Sequence, residues 1–182
     1  MVAGPELPVG RGIMPRMEIL PGEGVATAKV GESREVVEAR LRPPIHPGRE
    51  DKAVYETVPM LILTFADDDT VEVVEVGYTG GGGEEAYFDG VQLTYRFMED
   101  VVADLAARGH AHEPIDVGYR FAPGFALYSM GSRSARDLDP SASADDPREI
   151  VEGVSVAPYD YFREPSEEEF EEYFKGIEER YR

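Results

Sequence analysis

Two spaced histidines, a run of aspartates and a run of glycines are where this chain could do chemistry. His110 and His112 form a His-x-His pair beside Glu113. On a strand both imidazoles would project to one side, as two ligands of one metal must. The pair follows Gly109, which closes a helical pattern, so a loop is expected there. No His-Glu-x-x-His helix stands ready to complete a zinc site, and His46 lies in a Pro-rich stretch. Asp67-Asp68-Asp69 has the composition of a calcium loop but not its spacing. An EF-hand loop needs glycine at its sixth place, and the sixth place from Asp67 is Glu72. A solvated hairpin turn suits these aspartates better, because their side chains bond nearby backbone amides. The glycine run Gly80-Gly81-Gly82-Gly83 is followed by Glu84-Glu85, not by the Lys and Ser or Thr of a phosphate loop. Two carboxylates there repel phosphate, so the run reads as a linker.

Nucleophile patterns are equally thin. Tyr128-Ser129-Met130-Gly131 lacks the leading glycine of a Gly-x-Ser-x-Gly elbow. With 37 acidic residues any carboxylate pair can be assembled, so none is informative as a glycosidase pair. The chain has no tryptophan to stack on a sugar ring. It has no cysteine either, which excludes disulfides, thiolate nucleophiles and Cys-type zinc sites. No cofactor is expected.

The charge is more telling. Thirty-seven acids against 18 bases give a formal net charge of −19 over 182 residues. Such a surface repels phosphate backbones and anionic lipid, so neither nucleic acid nor membrane is expected as a partner. It attracts a basic protein. Between Ala66 and Gly90 stand eight acids and no base: Asp67, Asp68, Asp69, Glu72, Glu75, Glu84, Glu85 and Asp89. No apolar run approaches the roughly 20 residues of a membrane span. Met1 to Arg16 lacks the apolar core of a secretory signal and reads as a flexible leader, with a cytoplasmic location expected.

Ser33 is placed to cap a short helix ending at Pro43-Pro44, with Val37 and Leu41 on one face. Met60–Phe65 and Thr70–Tyr78 read as a β-hairpin turning at the aspartates. Ala53–Thr57 is a further strand. Glu85–Phe88 and Val91–Tyr95 flank the turn pair Asp89-Gly90. Phe97, Val101, Val102 and Leu105 recur at helical spacing before Gly109. Ile115–Phe121 and Gly124–Met130 read as strands, as does Ile150–Ala157. Gly131–Arg148 is Ser-, Asp- and Pro-rich and reads as a long exposed loop. The strongest helical signal is C-terminal: Ser166 and Glu169 match a capping box, and Phe170, Tyr173, Phe174, Ile177 and Tyr181 form an aromatic stripe.

The expected fold is α+β, one antiparallel sheet packed against two or three helices. After the leader, residues 17–182 are expected to form a single domain, with 17–79 and 84–182 as candidate halves of similar organisation.

Ile19-Leu20-Pro21-Gly22-Glu23-Gly24, then Val30-Gly31-Glu32-Ser33-Arg34-Glu35-Val36, resembles the opening of small bacterial immunity-type proteins. Phe88-Asp89-Gly90-Val91-Gln92-Leu93 and Gly153-Val154-Ser155-Val156 resemble the strands that follow. The repeat of helix and antiparallel run is similar to modules of the β-lactamase-inhibitory-protein type. Where such families show Gly-x-Pro after the first helix, this chain has Arg42-Pro43-Pro44. The resemblance implies a non-enzymatic inhibitor or immunity function and carries no functional residue across.

The expectation is thus a binding module with an acidic face toward a basic protein. Asp67, Asp68, Asp69, Glu72 and Glu75 would supply charge, and Tyr78 and Tyr87 aromatic anchors. The alternatives are a metal-dependent or small-molecule enzyme using His110 and His112 with nearby carboxylates, and a structural or regulatory module.

Overall fold

The computed structural model describes residues 16–41, 43–45, 51–79 and 83–163. The expected C-terminal helix and His46 lie outside these residues. Among the described residues there are two α-helices and two β-sheets, a sheet-dominated α+β fold.

The chain opens with β1 (Met17–Leu20), β2 (Gly24–Val25) and β3 (Ala28–Lys29), a small antiparallel meander. Gly22, at φ 73°, makes its first turn. Helix α1 (Arg34–Leu41) follows and buries Val37 and Leu41, the pair four apart in sequence. Then come β4 (Lys52–Tyr55), β5 (Leu61–Phe65) and β6 (Val71–Gly77). The β5–β6 hairpin turns at the aspartates as expected, with Asp69 itself in the left-handed region at φ 63°. Asp tolerates that region through local hydrogen bonding.

Beyond the glycine run lie β7 (Ala86–Phe88) and β8 (Val91–Gln92), joined by Asp89 and Gly90, both at positive φ. This is the backbone that a tight primed hairpin turn requires. Helix α2 (Met98–Ala107) buries Met98, Val101 and Leu105. Gly109 at φ 88° ends it: its N–H donates to Ala106 O, and the His110 N–H to Leu105 O. These two bonds make a Schellman cap. The last strands are β9 (His112–Ile115), β10 (Gly118–Phe121), β11 (Phe125–Tyr128) and β12 (Gly153–Val156). The single strand expected over 115–121 is broken at Asp116-Val117, where Ile115 ends β9 and Gly118 begins β10, and His112 starts a strand where a loop was expected.

One sheet packed against helices is corrected to two sheets. The smaller has the order β3-β2-β1-β7-β8, the larger β4-β5-β6-β12-β11-β10-β9. Pairing is antiparallel except between β1 and β7. The segments on either side of the glycine run share both sheets: β6 pairs with β12 and β1 with β7. One contiguous apolar core joins them, with Ile19 and Val25 from the small sheet, Leu61, Leu63 and Val74 from the large one, and Val37 and Leu105 from the helices. Burying these side chains stabilises the fold by roughly 1.5–3 kcal/mol each.

The loop over 131–148 is exposed for most of its length but is not featureless. It holds a short 3₁₀ turn at Ala135–Asp137 and buries Ala135 and Ala142. Arg148 ties it together, donating to Asp139 and Asp146 and lying over the Phe97 ring at 4.2 Å.

Candidate functional site

The acids expected to face a partner are placed along β6 and its turn, and several already have partners. Asp68 accepts from the Thr70 amide and hydroxyl, at 3.2 and 2.6 Å, as a turn-forming aspartate does. Those bonds hold its carboxyl below the usual range. Asp69 is 2.6 Å from Arg34 Nε, whose guanidinium lies over the Phe65 ring. Glu75 pairs with Lys52 at 2.5 Å. Asp67 is exposed at the tip, and Glu72 is half-buried. Tyr78 follows the far end of β6. A seven-residue strand separates it from the aspartate turn by roughly 23 Å. Tyr87 stands on the other sheet, its hydroxyl on Gln92 Oε1 and Arg16 over its ring. The expected set is therefore spread over three places.

The two histidines also part company. His110 Nε2 is 3.1 Å from Asp89 Oδ2, and its ring lies against Phe88. The His112 ring packs beside Tyr119 and Phe121. Among the described residues no three His, Cys, Asp or Glu side chains are grouped to hold a metal.

Tyr78 anchors a denser arrangement. Its ring stacks on Tyr95, with centroids 6.0 Å apart and planes 12° from parallel. Arg133 Nε donates to the Tyr78 hydroxyl at 2.7 Å, and its guanidinium lies 5.1 Å from the ring centroid. Arg133 also reaches Asp137 at 3.5 Å, and the Tyr95 hydroxyl donates to the Asp137 carbonyl. Three segments distant in sequence thus meet in one platform of two tyrosines and an arginine.

Two buried carboxylates hold that platform in place. Glu152, on the chain entering β12, is 6% exposed. It accepts the Ser132 amide and hydroxyl at 2.7 and 2.9 Å and the Arg133 amide at 3.1 Å. Its own carbonyl accepts from the Tyr78 amide. Glu85, 1% exposed, accepts the Thr79 amide and hydroxyl and the Thr94 hydroxyl, the last at 2.6 Å. Thr79 follows Tyr78 and Thr94 precedes Tyr95, so Glu85 clamps the two tyrosine-bearing segments together. Tyr95 has φ 55°, unusual for a non-glycine residue, and its amide donates to Val151 O. Buried carboxylates with all their bonds made to hydroxyls and amides fix backbone geometry.

Sequence reasoning found Tyr78 and missed Tyr95, Arg133, Glu85 and Glu152. A signal existed for Glu152: it lies in the alternation Ile150, Glu152, Val154, Val156, an acid on an apolar face. Arg133 gave none, because only the fold brings its loop back to β6. Comparison with protein-family models, with curated proteins and with solved structures gives no match.

Proposed function

We infer that the protein is a non-enzymatic binding module, of immunity or inhibitor type, that engages a basic protein through the Tyr78–Tyr95–Arg133 platform. One observation carries this reading: two tyrosines and an arginine, the residue types richest in interface hot spots, are held in one rigid group by buried carboxylates. A surface whose side chains are already ordered loses less entropy on association. The net charge of −19 favours a basic partner and speeds its approach, with Asp67 and Glu72 contributing to the field. Asp68 adds to that field, since its partner Thr70 is uncharged, while Asp69 and Glu75 contribute less because Arg34 and Lys52 offset them.

The test is affinity capture from a lysate of the source cells at low and moderate salt. Retention of one basic protein in stoichiometric amount at both salts is expected. A retained smear that disperses with salt, or nothing retained, would contradict the reading.

A further inference from the structure

A concavity lies apart from the platform, against the first strands of the smaller sheet. It has a volume of about 420 Å³. Met17 and Leu20 of β1 and Val25 of β2 line it, together with Val58 from the connection between β4 and β5. Val25 is buried, Met17 and Leu20 are half-buried, and Val58 is 61% exposed, an apolar side chain left at the mouth. The volume exceeds what one amino-acid side chain fills and falls in the range of small-molecule sites, roughly 300–1,000 Å³.

The polar lining has a sign. Glu18 and Glu84 both contribute to it, and neither has an ion-pair partner among the described residues. The one cation in the lining, Arg16, lies over the Tyr87 ring at 4.8 Å. An apolar chamber lined by two carboxylates and one guanidinium carries net negative charge, which favours an apolar chain that ends in a cation. An alkyl carboxylate of the same length fills the chamber equally and meets like charge.

We propose that this cavity is a binding site for a small amphiphilic amine, its alkyl chain against Met17, Leu20, Val25 and Val58 and its ammonium beside Glu18 and Glu84. The site shares no residue with the platform, so it stands or falls independently of the protein-binding reading.

The probe is octylamine, titrated into the full chain at neutral pH with octanoate in parallel, and followed by backbone amide resonances. Saturable shifts confined to residues 16–27, 58 and 84 are expected with octylamine. Octanoate should bind at least about threefold more weakly, the scale of a partly exposed ion pair. Ala26→Trp, at the exposed β2–β3 turn, should obstruct the path of the alkyl chain and abolish the saturable shifts; Val58→Trp serves if that variant fails to fold by circular dichroism. The double variant Glu18→Gln/Glu84→Gln should retain octylamine binding and lose the preference over octanoate. Equal affinity for the two probes, no saturable shift with octylamine, or shifts that survive both tryptophan variants would overturn the proposal.

Discussion

The ring of Tyr128 lies across the backbone of Gly153, its register partner on the neighbouring strand β12. A Cβ built on Gly153 would overlap the ring, with Tyr128 Cε1 at 2.7 Å. Glycine is needed here for space, not for a left-handed backbone. Gly153→Ala is therefore expected to push the ring out of place and destabilise the fold by about 1–2 kcal/mol, the scale of overpacking. For a chain of this size that lowers the melting temperature by roughly 2–4 °C per kcal/mol. In a Tyr128→Ala background the same substitution should be neutral or stabilising, since alanine suits a strand interior better than glycine. A double-mutant cycle by thermal melting measures the difference.

Tyr128 and Tyr55 should limit stability at high pH. Burial, then the charge of Glu75 and Glu152, pushes the Tyr128 phenol well above its ordinary value. Burial and then Glu38 do the same for Tyr55, which is fully buried. The unfolded chain loses these protons near pH 10 while the folded chain keeps them. Stability is thus unaffected below about pH 10 and falls as the pH rises beyond it. In an absorbance titration the last tyrosines should ionise only together with loss of the circular dichroism signal. Smooth ionisation of all tyrosines with the fold intact would be inconsistent with their burial.

Acid should loosen the loop over 131–148 before the core. Hydrogen bonds from Arg148 and then Ser141 hold Asp139 down to about 2, and Arg148 lowers Asp146 too. Carboxyls with depressed values stabilise above their unfolded value of about 3.9, and that contribution disappears as the pH falls toward 2. The protection of the Ser141 and Arg148 amides, whose N–H groups donate to Asp139 and Asp146, measured as exchange relative to the intrinsic rate at each pH, should fall over this window. In Arg148→Ala the exchange should already be fast at neutral pH.

Glu85 tests the clamp beneath the platform. Glu85→Ala leaves the Thr79 hydroxyl, on an exposed residue, and the fully buried Thr94 hydroxyl without their acceptor. A loss of about 1–3 kcal/mol is expected in denaturant unfolding, the penalty for stranding a buried donor. Glu85→Gln keeps one oxygen but turns an amide nitrogen toward a donor, and should fall between wild type and Glu85→Ala.

Local signals in the sequence located the local structure. The helix at Arg34–Leu41, the Schellman end at Gly109 and the turns at Asp69 and Asp89-Gly90 all depend on residues within a few places of one another. The division into two sheets was not legible, because it depends on β1 finding β7 across the 65 residues between Leu20 and Ala86. The break at Asp116-Val117 was hidden for a different reason: Ile115 and Tyr119 continue an alternating pattern across the turn. Of the site, Tyr78 could be chosen by residue type. Its partners Tyr95 and Arg133 lie 17 and 55 places away, and Glu85 and Glu152 gain their meaning only from the hydroxyls and amides the fold aims at them.

The most direct measurement is the dissociation rate of the captured basic protein from wild type, Tyr78→Ala and Arg133→Ala, compared at one salt concentration. If the platform is the anchor, Tyr78→Ala releases the partner roughly 30-fold faster, the signature of a hot spot of about 2 kcal/mol. Arg133→Ala acts in the same direction, while Tyr87→Ala on the other sheet leaves the rate near that of wild type. Unchanged dissociation in both Tyr78→Ala and Arg133→Ala, with the variants folded, would contradict the assignment of the Tyr78–Tyr95–Arg133 platform as the binding surface.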